Sequence, residues 1–155
     1  MANNSTPGHR ARTILEVANR LGHLGGASVE EVYNRLVKMG ENLNQQSPAN
    51  FADQLAISMI IEPGLDPSID NSIGCAGLIQ FCPGTGQTLI NKNGSQIIST
   101  PFLPQLEDVE TYFRRTLDSF GSALPNPSNI NAAELYLLVL WPVGSTASMD
   151  EVIHV

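Results

Sequence analysis

The sequence predicts a mainly α domain with a long glycine-rich loop at its centre. Apolar residues recur at helical spacing in several separate stretches, the signature of amphipathic helices. Between them, residues 63–86 hold Pro63, Gly64, Pro67, Gly74, Gly77, Pro83, Gly84 and Gly86, a density that interrupts regular structure repeatedly. A length of 155 residues at 42% hydrophobic composition suits one ordinary domain with a single core.

Taken in order, residues 1–9 read as a flexible polar arm of Asn, Ser, Pro and Gly. From Arg10, the positions Ile14, Val17, Ala18 and Leu21 mark the apolar face of a first helix, broken by the glycines of 22–26. Ser28 with Glu31 three residues on forms a capping box that opens a second helix, with Val29, Val32, Leu36, Val37 and Leu43 on its apolar face. These two helices, residues 10–47, precede the main domain, 48–155, and are expected to serve assembly, the second helix packing its face on the domain or on another chain; simple core packing is the alternative. A third helix is predicted over 49–61, buried almost all round through Leu55, Ile57, Ile60 and Ile61. Pro63 ends it by pushing Glu62 out of the α region. Residues 87–99 read as polar with short β-like pieces, and 105–120 as a helix through Leu106, Val109, Phe113 and Leu117. The most apolar run, 135–141, is stopped by Pro142.

Charge and composition exclude several function classes. Eight basic and fifteen acidic residues give a net charge of −7, so no electrostatic affinity for nucleic acid or an anionic membrane is expected. No window approaches the roughly 18 uninterrupted apolar residues of a membrane span. Residues 1–6 are polar and lack the basic-then-apolar layout of a secretory signal, so none is expected. Two cysteines are too few for a disulfide scaffold or a zinc site, and no metal or cofactor is expected. A Cys–His nucleophile pair is rejected, because His9, His23 and His154 lie far in sequence from Cys75 and Cys82.

The centre of the chain carries the chemistry. Glu62-Pro-Gly-Leu-Asp-Pro67 is followed by Gly74-Cys-Ala-Gly-Leu-Ile-Gln80-Phe-Cys-Pro83-Gly-Thr85, placing Gly74, Gly77 and Gln80 at offsets of 12, 15 and 18 from Glu62. This pattern resembles the first two motifs of the lytic transglycosylases: a catalytic Glu with a following Asn/Asp-Pro, then a Gly-Ala-x-Gly-Leu-Met-Gln-like segment ending in Pro-x-Thr. Gln105-Leu106 with Val109, Tyr112 and Phe113, and the later run Glu134-Leu-Tyr-Leu-Leu-Val-Leu-Trp-Pro142, are similar to the closing segments of such proteins carried in phage particles. The resemblance covers roughly residues 48–150. Two departures are visible. Pro63 stands where the family usually has Ser after the Glu, and the third motif, Ala-Tyr-Asn-Ala-Gly, is replaced, with Trp141 at its Tyr and Pro142 at its Asn.

The resemblance implies a lysozyme-like fold and makes 48–155 the catalytic domain. It also implies that Glu62 serves first as acid and then as base, while the substrate's own 6-hydroxyl closes on the anomeric carbon to leave a 1,6-anhydromuramoyl end. The residues suit that role. Glu62 follows Met59, Ile60 and Ile61 and is expected to face Leu78, Ile79 and Phe81, an apolar setting that favours the protonated acid. An ordinary glycosidase needs a second carboxylate; Asp66 and Asp70 are near, but Asp66-Pro67 reads as a turn.

Substrate contacts are expected from Gly77, Ile79, Gln80 and Trp141, with Gln80 pointing into the groove and Trp141 stacking on a sugar face, while Tyr136 is assigned to the core. Cys75 and Cys82, at small or apolar family positions, are expected as buried free thiols. The implied partners are a peptidoglycan glycan strand and other virion proteins of tail, hub or portal, the implied location a phage particle, and the implied task local wall opening during genome entry. A structural tail or hub protein with weak or lost activity, or a lysozyme-like hydrolase, are the alternatives.

Overall fold

The structure, a computed structural model, describes residues 6–61 and 63–140. Seven helices follow one another: α1 (His9–Arg20), α2 (Val29–Asn42), α3 (Pro48–Ile60), α4 (Gly86–Ile90), α5 (Gly94–Ile98), α6 (Phe102–Phe120) and α7 (Ala132–Leu140). Among the described residues there is no strand, only two isolated bridges, Asp70 with Ala76 and Ala76 with Phe81. The mainly α expectation holds.

Local chemistry explains most helix starts. The Ser28 hydroxyl accepts from Glu31 N–H and the Glu31 carboxylate accepts from Ser28 N–H, each at 3.0 Å, so the predicted capping box opens α2. Pro48 sits in the first turn of α3 behind the Ser47 cap. The β-like pieces expected at 87–99 are instead α4 and α5. Asn93 and Gln96 make a second capping box at 2.9 Å in both directions, and Asn91 ends α4 in the left-handed region, so local side-chain bonds outweigh a weak strand pattern.

The N-terminal expectations need correction. Residues 1–5 lie outside the described residues, but Thr6 to His9 already form a turn into α1. Asp53 of α3, buried, accepts from Gly8 N–H and Ala11 N–H at 2.8 Å each and so caps α1 from a distant part of the chain. At Gly8 (φ +92°) any side chain would collide with the Tyr33 hydroxyl. One apolar core takes in Leu15 of α1, Leu36 and Met39 of α2, Phe51, Leu55 and Met59 of α3, Phe102 and Phe113 of α6 and Leu135 of α7. The alternative of simple core packing is therefore the one realised for the buried faces of α1 and α2.

The buried stripe of α1 is Ala11, Leu15 and Ala18, two small residues that let it lie close on its neighbours. Val17 and Leu21, expected inside, are 47% and 64% exposed. Likewise Ile60 and Ile61, at the end of the supposedly all-round buried α3, are 44% and 52% exposed. The α7 end of the molecule is fixed by amides. Gln45 donates to Pro127 O at 2.9 Å and accepts from Ile130 N–H at 3.0 Å, and Gln54 accepts from Ala132 N–H at 2.9 Å.

Candidate functional site

After α3, the described residues between 61 and 85 form no helix. Ile61 N–H donates to Ser58 O and Leu65 N–H to Met59 O, both at 3.3 Å. Glu62 itself lies outside the described residues. Its neighbours in sequence differ sharply: Ile61 is exposed and Pro63 is buried. Asp66 closes the next turn, its carboxylate accepting from Ser68 N–H at 2.9 Å and Ser68 O–H at 2.7 Å. That is the turn expected of Asp66-Pro67. Partial burial opposes ionisation of Asp66, but the Ser68 hydrogen bonds and the nearby His23, 3.7 Å away, outweigh it and hold the carboxyl below its ordinary value.

The segment 74–82 folds as a tight double-back. Ala76 and Phe81 exchange both backbone hydrogen bonds, at 3.0 and 2.7 Å, with Gly77, Leu78, Ile79 and Gln80 as the turn between them. This pairing sets Cys75 opposite Cys82, and the two form a disulfide. The free-thiol expectation is thus corrected: residues seven apart in sequence become neighbours across a hairpin-like turn, which cysteine spacing alone does not reveal.

Each turn residue has a structural duty. A Cβ at Gly77 (φ +86°) would stand 2.6 Å from Gln105 Oε1 and from Ile97 Cγ2, so packing requires glycine here. Leu78 and Ile79 belong to the core. Gln80 takes φ +58°, is 5% exposed, and its side-chain N–H group donates to Gly77 O at 2.9 Å and Ile69 O at 3.2 Å. The amide expected to reach into a groove therefore spends its donors on its own loop.

Gln105 of α6 is the hub behind this turn, and no role was read for it in the sequence. Fully buried, it accepts from Leu78 N–H at 2.6 Å and donates to Pro67 O, Ile97 O and Thr100 O at 3.0, 3.0 and 3.1 Å. The available signal was a polar residue on the apolar face that also carries Leu106, Val109 and Phe113. Tyr112 supports the far side. Its hydroxyl donates to Leu138 O at 2.6 Å, its ring meets Phe81 and Phe113 edge to face, and burial pushes its pKa up to about 12.

The structure brings Ser58, Pro63, Leu78, Ile79, Gln80, Tyr136 and Val139 around one cleft of about 10 Å3, room for about one water. Two predicted site residues, Ile79 and Gln80, are therefore together, while Gly77 faces Gln105 behind them. Tyr136, assigned to the core from its apolar run, is only half-buried and lines this cleft. Trp141 lies outside the described residues. Among the described residues no group of three His, Cys, Asp or Glu side chains could hold a metal, and no helix is long and apolar enough to cross a membrane. No protein-family model, no curated protein and no solved structure matches the chain.

Proposed function

We propose that the chain is a lysozyme-like domain that cleaves the MurNAc–GlcNAc bond of peptidoglycan as a lytic transglycosylase of a phage particle, with Glu62 as its acid and base. The motif spacing from Glu62 to Gln80 motivates the reading, and the observation that carries it is the shared cleft. Ser58 and Pro63, either side of position 62 in sequence, meet Ile79, Gln80 and Tyr136 there. Apolar walls of that kind raise a carboxylic acid's pKa and keep a proton available for a leaving oxygen. In the reaction Glu62 gives its proton to the glycosidic oxygen as the C1–O bond breaks. The muramoyl 6-hydroxyl then bonds to C1 and returns its proton to the carboxylate, so neither water nor a second carboxylate is consumed. The partners that follow from this reading are the glycan strand and neighbouring tail, hub or portal proteins.

A second reading, a structural tail or hub protein with weak or lost activity, is favoured by two observations. The cleft is far smaller than a sugar ring, and the Gln80 donors are already engaged. Digestion of purified sacculi separates the readings. The transglycosylase yields anhydromuramoyl ends that Glu62→Gln abolishes without a change in thermal unfolding. Reducing ends mean a hydrolase, no products mean the structural role, and wild-type cleavage by Glu62→Gln means another acid.

A further inference from the structure

Among the described residues, exposed apolar side chains gather between α1 and α3. Two adjoining hollows of about 250 and 340 Å3 share Thr13 and Ile14 and form one groove along α1. Val17 and Leu21 stand open on the α1 side, and Ile60 on the α3 side. Among the described residues, four of the seven large apolar side chains left most exposed, Val17, Leu21, Ile60 and Ile61, are gathered at or next to this groove, where isolated exposed residues would need no explanation. Its charge is equally distinctive. Among the described residues no carboxylate lines it, in a chain whose acids outnumber its bases fifteen to eight. Arg10 lines one end, and by helical spacing Arg20 lies near the Val17 edge at the other; both are exposed and neither forms an ion pair among the described residues. Arg12, by contrast, turns the other way, onto Glu30 and the Tyr33 ring.

We propose that this groove docks an acidic amphipathic helix of a second protein, its apolar stripe on Ile14, Val17, Leu21 and Ile60 and its carboxylates on Arg10 and Arg20. The dimensions fit: α1 spans twelve residues, about 18 Å, which matches about three turns of a partner helix. Other occupants fit less well. A second copy seated by a two-fold axis would set the arginine-flanked patch against itself, like charge facing like. An anionic lipid surface attracts clusters of about four to eight basic residues, whereas two free arginines flank this groove in a chain of net charge −7. The inference does not depend on the role of Glu62.

The full-length chain is titrated into a fluorescein-labelled synthetic helix-forming peptide. The peptide carries Leu at helical spacing on one face and Glu at both ends; a Lys-for-Glu version serves as control. Anisotropy is expected to report binding of the Glu peptide at least tenfold tighter than the Lys peptide, with a difference that shrinks as salt is raised. Leu21→Glu is expected to weaken the Glu peptide at least tenfold. Arg10→Glu with Arg20→Glu is expected to reverse the preference between the two peptides, which a mere loss of folding cannot do. Equal binding of both peptides, or binding untouched by these variants, overturns the proposal. So does a photo-crosslinker at position 17 that captures the chain itself, or a second copy of it, in the presence of saturating peptide.

Discussion

Replacing Gln105 by Leu tests the idea that one buried amide holds the 74–82 turn against the rest of the domain. The substitution puts an apolar side chain one bond shorter on a fully buried position and removes one acceptor and the donors that serve three carbonyls. Leu78 N–H is then orphaned in the core, at about 1–3 kcal/mol for a buried unsatisfied donor. Ile97 O keeps the bond it accepts from Thr100 N–H, so the carbonyl loss falls mainly on Pro67 and Thr100 and adds about 1–2 kcal/mol. The expected total is about 2–5 kcal/mol, a large share of the roughly 5–15 kcal/mol by which such domains are stable. Urea unfolding should show a midpoint shift with unchanged slope, and the melting temperature should fall by about 10 °C. Hydrogen exchange at Leu78 N–H should accelerate before the rest of the core. Gly77→Ala, whose Cβ meets the same Gln105 oxygen, should couple non-additively with Gln105→Leu. A loss below about 1 kcal/mol, with Leu78 N–H still protected, refutes the reasoning.

Three further outcomes follow from neighbouring contacts. Reduction of Cys75–Cys82 opens a short covalent loop and should lower stability by about 2 kcal/mol, read from urea curves with and without reductant; equal curves would mean the disulfide is idle. Asp66, with its folded pKa below the unfolded value, contributes stability that is present above the ordinary carboxylate range and lost as pH falls through the folded pKa. Asp66→Asn should therefore flatten the acid limb of stability against pH, and an unchanged limb contradicts the Ser68 and His23 contacts. Tyr112, raised to about 12, contributes stability that is complete below about pH 10 and disappears as pH rises through the folded value. Its phenol absorbance should titrate late, Tyr112→Phe should cost about 1 kcal/mol through the lost Leu138 hydrogen bond, and ordinary titration near pH 10 in the folded protein would contradict the burial of the phenol.

What the sequence determined by itself was local. Ser28 and Glu31 cap α2 because a hydroxyl and a carboxylate three residues apart satisfy N–H groups within one turn, and Asp66 closes its own turn for the same reason. The capping pair Asn93 and Gln96 was equally legible, though the polar run around it was read as β-like. Helical periodicity located α1, α2, α3 and α6, since a period near 3.6 survives without knowledge of neighbours. Which edge of an apolar face is covered depends on where the next helix lies, so Val17, Leu21 and Ile60 came out exposed and Tyr136 reached the cleft. Only tertiary structure could join Asp53 to the start of α1, Gln105 to Leu78, and Cys75 to Cys82. Each of these bonds is chosen by the three-dimensional path of the backbone. Along the chain alone, a buried carboxylate, a buried amide and a pair of thiols have many possible partners and no means of selecting one.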